Sequence, residues 1–267
     1  MIAWPEERNM IVSLCDYSGT WSRPFIEAGY FVLRVDPKLS LSGADHGSLG
    51  YGAEGDGSFY QMDDGGWALA ITVRELADGL EEEGGYYLDS IWQRRVQQTE
   101  AWTVLDTHGL LMAPPCTDFS VSGARWFKAK DADGRTARSV QIVRDCLRVK
   151  NALQPNWWVL ENPKGRIARL VPELGPWRMH FDPADYAGLA DNPVKESYSK
   201  DTYLFGEGFS TDLPTEYARD IVWFTDSKGN RGSWQWKNLG GKSERTKELR
   251  SMTPTGFARA FAMAQLN

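Results

Sequence analysis

The junction at which Leu110-Leu111-Met112 runs into Ala113-Pro114-Pro115-Cys116-Thr117-Asp118-Phe119-Ser120 constrains the fold more than any other stretch. Two prolines fix φ and bias the residues before them towards extended geometry, so a strand stops here and the chain turns sharply. A second apolar run, Trp157-Trp158-Val159-Leu160, ends in Glu161-Asn162-Pro163. Between the two, Val140, Val143, Leu147 and Leu153 recur at helical spacing over residues 139 to 153, and Pro155 closes the segment. Strand, helix and strand at this spacing predict parallel neighbours in a doubly wound α/β sheet, whose C-terminal strand ends share one ligand crevice. Cys116 and Glu161 are then expected to face one pocket, as a thiolate nucleophile and a carboxyl group. Taken singly, Pro-Pro-Cys is also a rigid turn around a small buried residue, and Glu161 an exposed loop acid. Their shared placement at two strand ends is what points to chemistry.

The N-terminal part reads as a βαβ unit. Ile11 to Cys15 is a strand, Gly19 a turn, residues 21 to 28 a helix stopped by Gly29, and Phe31 to Val35 a strand ending at Asp36. An acidic residue at that strand end is where a ribose hydroxyl pair is held in such folds. The turn carries Tyr17, and no G-x-G-x-x-G is present. Residues 37 to 66 are rich in glycine and serine and predict a long mobile loop. Residues 67 to 80 and 86 to 99 read as helices, so roughly 37 to 100 is an insertion in the strand-helix-strand series. A strand lies within 103 to 112, the segment 123 to 134 is polar, and 172 to 192 is a loop with aromatics. Thr202 to Gly206 is a further strand, and Thr255 to Gln265 is the closing helix. Cys15 and Cys146 are expected to pack in apolar surroundings.

A chain of 267 residues suits one substantial α/β domain with a small appended region. No apolar run approaches the roughly 18 residues of a membrane span, and Trp4-Pro5-Glu6-Glu7 does not resemble a signal peptide. Three scattered cysteines do not make a disulfide framework or a zinc site. No metal is expected, and the cytoplasm is the expected compartment. The net charge of −6 argues against a protein that coats nucleic acid non-specifically. Its distribution is uneven: residues 54 to 100 are acidic, whereas 123 to 150 and 237 to 250 are basic. One face is thereby suited to phosphates, although a solvated helix surface explains each basic segment equally well. Lys164-Gly165-Arg166 is a basic turn placed to touch a phosphate.

Pro114-Pro115-Cys116 and Glu161-Asn162-Pro163 resemble the catalytic Pro-Cys and Glu-Asn motifs of the DNA (cytosine-5) methyltransferase family. Asp16-Tyr17-Ser18-Gly19, Glu27-Ala28-Gly29-Tyr30 and Val35-Asp36 resemble that family's cofactor-binding start, and Arg250-Ser251-Met252-Thr253-Pro254 its late Arg-x-Leu-Thr-Pro motif. The motifs occur in the family's order over most of the chain, in the style of small phage-type members. The resemblance implies a Rossmann-like fold that uses S-adenosylmethionine, with DNA as partner and the target cytosine flipped out. It implies Cys116 as the nucleophile on cytosine C6, Glu161 as the partner of N3, and Asn162 as a loop-holding residue. Asp16, Gly19, Asp36 and Pro114 are the implied cofactor residues, with Asp63 and Asp64 as candidate adenine partners. Ser120, Arg125, Lys164, Arg166 and Lys200 are the implied substrate contacts.

The chain departs from the family pattern at several positions. Thr117 stands where glutamine is usual, and Ser197-Tyr198-Ser199-Lys200-Asp201 stands where a Gln-x-Arg-x-Arg segment is expected, so Lys200 or Lys195 would substitute for arginine. The late Gly-Asn cofactor motif is not evident. Residues 1 to 206 with 244 to 267 form the expected catalytic domain, which leaves only 207 to 243 for a reduced target-recognition region. Two alternatives stay open at this point: the same chemistry on a free cytosine nucleotide or RNA, or a non-catalytic nucleic-acid-binding protein. The oligomeric state is not legible in the sequence.

Overall fold

The computed structural model describes residues 10–40, 56–84, 86–88, 90–91, 107–218, 223–239 and 243–266. Its centre is β1 (Met10–Leu14), buried throughout because its alternate side chains enter two different apolar layers. Met10, Val12 and Leu14 join one layer with the Val73–Glu83 and Arg135–Leu153 helices. Ile11 joins the other, with Phe25 of the Arg23–Glu27 helix and with Phe257 and Phe261 of the Thr255–Gln265 helix. Phe181 lies flat on Phe257 with centroids 3.7 Å apart. Each aromatic ring buried this way contributes about 1.5–3 kcal/mol.

The remaining strands are β2 (Phe31–Val35), β3 (Phe59–Gln61), β4 (Trp67–Leu69), β5 (Thr107–Met112), β6 (Trp157–Pro163), β7 (Trp177–Phe181) and β8 (Thr202–Glu207). They form an eight-stranded sheet in the order β3-β4-β2-β1-β5-β6-β8-β7. The run β4-β2-β1-β5-β6 is parallel, while β8 is antiparallel to both its neighbours and β3 is antiparallel to β4. With helices on both faces this is the expected doubly wound α/β fold. The chain moves outward from β1 to β2 and β4, then returns to β5 on the other side of β1. The C-terminal ends of β1 and β5 therefore flank a topological switch point, where a crevice opens in sheets of this kind.

Three local expectations are corrected. Residues 67 to 69 form β4 rather than the start of a helix, because Thr72 and Glu75 make a reciprocal capping box that begins the helix only at Val73. The expected loop 37 to 66 contains β3, whose Phe59 ring stacks on Trp67 at 5.1 Å. Within the expected loop 172 to 192, Trp177–Phe181 forms the outer strand β7, entered through Pro176, with Trp177, Arg178 and His180 exposed. Most of the helix expected over 86 to 99, and residues 41 to 55 and 103 to 106, lie outside the described residues. Beyond β8, β9 (Phe224–Thr225) and β10 (Arg231–Gly232) form a short antiparallel hairpin, followed by the Trp234–Asn238 helix. No helix among the described residues is long and apolar enough to cross a membrane.

Candidate active site

β5 and β6 lie side by side in parallel register, Met112 opposite Leu160, so the chain emerging from each reaches the same edge. After β5, the Ala113 N–H still donates to the Leu14 carbonyl at 3.1 Å, and the N–H groups of Phe119 and Ser120 then both donate to the Cys116 carbonyl at 3.0 Å. This closes a tight turn with Cys116 at its start. The turn is fastened to the loop after β6. Val121 N–H donates to the Lys164 carbonyl at 3.1 Å, Arg166 N–H donates to the Phe119 carbonyl at 3.0 Å, and Ser120 bridges Gly165. The Asn162 amide donates to the Pro114 carbonyl at 3.3 Å, while its buried Oδ1 has no hydrogen-bond partner. Cys116 is thus carried on a turn and Glu161 near the end of β6, and the backbone holds the two segments as one piece.

The electrostatics couple them through a third group. Burial raises the Glu161 carboxyl above the usual carboxylate range, and the nearby Lys200 ammonium opposes that rise. Burial likewise raises the Cys116 thiol, against the pull of Lys200, with Glu161 adding to the rise. Burial would lower Lys200, but the charges of Glu161 and Cys116 outweigh it and its pKa stands above the ordinary lysine value. Lys200 is positioned by its own N–H on Asp182 Oδ1 at 2.5 Å and by its Nζ on the Arg250 carbonyl at 3.3 Å. A thiol, a carboxyl group whose pKa burial raises and an ammonium therefore act on one another at one sheet edge. Tyr198, buried and raised by burial, feels the charges of both Lys200 and Glu161.

At the end of β2, Asp36 is half-buried. Its Oδ1 accepts from Lys38 N–H at 2.9 Å, which leaves Oδ2 without a hydrogen-bond partner among the described residues. Burial raises its pKa to about 6. Such a carboxylate oxygen can accept hydrogen bonds from a pair of hydroxyl groups. Tyr17 stands exposed nearby, with the Lys38 ammonium 5.5 Å from its ring centroid.

Asp16 and Gly19 are placed differently from what the sequence suggested. Asp16 Oδ2 accepts from Ser13 Oγ at 2.9 Å, Ser22 Oγ at 2.7 Å and Ser22 N–H at 3.2 Å, so the carboxylate organises the turn from within. Gly19 adopts φ +66°, and a Cβ there would stand 2.3 Å from Arg34 Cζ, so glycine is required by the packing of Arg34. Arg34, buried in the middle of β2, donates to Ser22 Oγ at 3.0 Å and pairs with Asp64. Asp64 is thereby engaged by an arginine rather than free for an adenine.

Arg166 is likewise corrected. Its guanidinium donates to the Asp118 carbonyl at 2.9 Å, to Asp131 at 2.9 Å and to Thr136 Oγ1 at 2.8 Å, and it lies 3.7 Å from the Phe127 ring centroid. It is a buried clamp with no face turned to a phosphate. Lys164 is exposed and pairs with Asp201 at 3.2 Å. Arg125 is exposed beside Trp126, and Ser120 Oγ shares a hydrogen with Ser122 Oγ at 3.0 Å. Pro114 is buried and contributes its carbonyl to Asn162. Cys146 is fully buried and Cys15 packs against the same layer; the Cys15 thiol is raised by its hydrogen bond to Cys146 and by burial. Arg34, Ser22 and Tyr198 were not singled out from sequence. An arginine interrupting Phe31-Val32-Leu33 and Val35 was the available signal for the first.

No protein-family model matches the chain, and no curated protein matches it. Among solved structures the chain is similar to a prophage-encoded protein from E. coli, provisionally described as a DNA modification methyltransferase. The identity is 14% and the TM-score 0.40, over 87% of this chain and 64% of that one, so this chain spans less than two thirds of that structure's length.

Proposed function

We propose that the chain transfers a methyl group from S-adenosylmethionine to C5 of cytosine in DNA. The observation that carries this reading is the fastening of the Cys116 turn to the Glu161 loop, with Lys200 acting on both side chains. Cytosine C5 is a poor nucleophile, and addition of the Cys116 thiolate to C6 makes it enamine-like. Lys200 favours the thiolate needed for that addition. Glu161, whose burial favours the protonated carboxyl, donates a hydrogen bond to N3 and stabilises the charge that the addition places on the ring. Once C5 carries the transferred methyl group, its proton passes to a base and the C6–S bond breaks, which re-forms the C5–C6 double bond and releases the Cys116 thiolate. Asn162 keeps the two loops in register throughout.

The residues at the β1 and β2 ends fit the cofactor. Asp36 offers a carboxylate oxygen to a ribose hydroxyl pair, and Tyr17 offers an exposed ring beside it. When bound, S-adenosylmethionine supplies an electrophilic sulfonium methyl group. The test is incubation of labelled cofactor separately with single-stranded DNA, duplex DNA, RNA and dCMP. Label in DNA at cytosine C5 supports the reading; label in RNA or dCMP alone moves the same chemistry to another substrate. Binding of nucleic acid with no label in any substrate overturns it in favour of a non-catalytic protein.

A further inference from the structure

Among the described residues, the hairpin of β9 and β10 with the Trp234–Asn238 helix brings exposed aromatics beside cations. Trp223 is 50% exposed and Trp236 49% exposed. Arg231 Cζ lies 5.5 Å from the Trp223 ring centroid, and Lys237 Nζ lies 4.4 Å from that of Phe224. Trp236 is held in place by packing on Gly232, where a Cβ would stand 2.2 Å from its ring. Phe224 pairs with Gly232 and Thr225 with Arg231, so the two aromatic–cation sets lie on opposite faces of the ribbon. The helix packs against the Pro193–Glu196 helix, with Lys195 Nζ 5.2 Å from the Trp234 ring centroid, on the segment that leads to Tyr198 and Lys200 of the candidate active site.

From this arrangement we infer that the hairpin binds single-stranded nucleic acid by base stacking, and that the cytosine substrate is one already unpaired. Three observations support it. Two half-exposed indoles, Trp223 beside Arg231 and Trp236 packed on Gly232, are stacking platforms, and every base has a face to offer them. Cations beside the rings match the phosphates that flank a stacked base. The strands are two residues long and the helix five. Neither element is long enough to lie along a major groove and read its edges, which is how duplex sequence is recognised. The inference rests on the methyl-transfer reading for its placement beside Cys116, but binding is measured without turnover.

The experiment is fluorescence anisotropy of the full-length protein, without cofactor, on one short labelled sequence. It is offered as single-stranded DNA, as single-stranded RNA and as the annealed DNA duplex. A single strand should bind at least about tenfold more tightly than the duplex, as one stacked base suffices to give. The two single-stranded arms show which sugar is preferred. Trp223→Ala should weaken single-strand binding by about tenfold, and Trp223→Phe should restore most of it with an unchanged melting temperature. Equal or tighter binding to the duplex overturns the inference, as does wild-type single-strand affinity in Trp223→Ala combined with Trp236→Ala. Single-strand preference in a protein that methylates nothing sustains the binding inference while the methyl-transfer reading fails.

Discussion

Gly165 approaches the Phe119 carbonyl so closely that a Cβ at position 165 would stand 2.0 Å from its oxygen. The contact belongs to the seam that joins the Cys116 turn to the Glu161 loop, and it involves backbone on both sides, so neither partner can swing away. Gly165→Ala should therefore separate the loops or strain them, at about 1–3 kcal/mol of stability. Methyl transfer should fall more than the melting temperature suggests, since the spacing of Cys116 and Glu161 changes. Thermal melts and turnover measured side by side check this.

Cys116→Ser should abolish methyl transfer and leave the fold intact, because the side chains differ little in volume and Pro114 and Pro115 set the turn. A substrate carrying fluorine at cytosine C5 blocks the final elimination and should trap an adduct on Cys116 of the wild type. Peptide mapping that finds the adduct on Cys15 or Cys146 counts against the assignment.

Lys200→Met removes the charge that holds the Cys116 thiol down against its burial. The thiol should then ionise at higher pH, so alkylation of Cys116 by iodoacetamide should slow at neutral pH and recover in alkali. Mass spectrometry of the Cys116 peptide across a pH series reads this directly. A superimposable profile for wild type and variant would show that Lys200 does not act on the thiol.

Asp36, its carboxyl pushed by burial from the ordinary value of 3.8 up to about 6, opposes folding once ionised. The folded state binds more protons than the unfolded one between these values. Stability therefore falls as pH rises from about 4 to about 6 and stays lowered above that, by up to about 3 kcal/mol. Asp36→Asn should melt higher than wild type at neutral pH, and the difference should close below about pH 4. The same variant should lose S-adenosylmethionine affinity in calorimetry, so stability and binding move in opposite directions.

The central strands and their ends were legible because each is an apolar run closed by a breaker or a charge: Leu110 to Met112 before the prolines, Trp157 to Leu160 before Glu161, Phe31 to Val35 before Asp36. Edge strands gave no such signal. Trp177-Arg178-Met179-His180 buries little, and Phe59 and Trp67 belong to strands of three residues in glycine-rich surroundings. Roles within the turn after β1 were hidden for another reason. Whether Asp16 faces a ligand or the interior depends on Ser22, and whether Asp64 is free depends on Arg34, thirty positions away. Arg166 reads as a surface cation in sequence and becomes a clamp only because the Phe127–Ala132 helix supplies Asp131 beside it.

The outer strand β7 carries a consequence for the sheet as a whole. An exposed strand edge is a template on which another chain can extend the sheet. Here Pro176 stands at its threshold without an N–H to offer, Arg178 is exposed along it, and His180, also exposed, is paired with Asp201 Oδ1 at 3.0 Å. A strand added alongside would have to desolvate that guanidinium without a partner in place. This end of the sheet is guarded against recruitment of further strands.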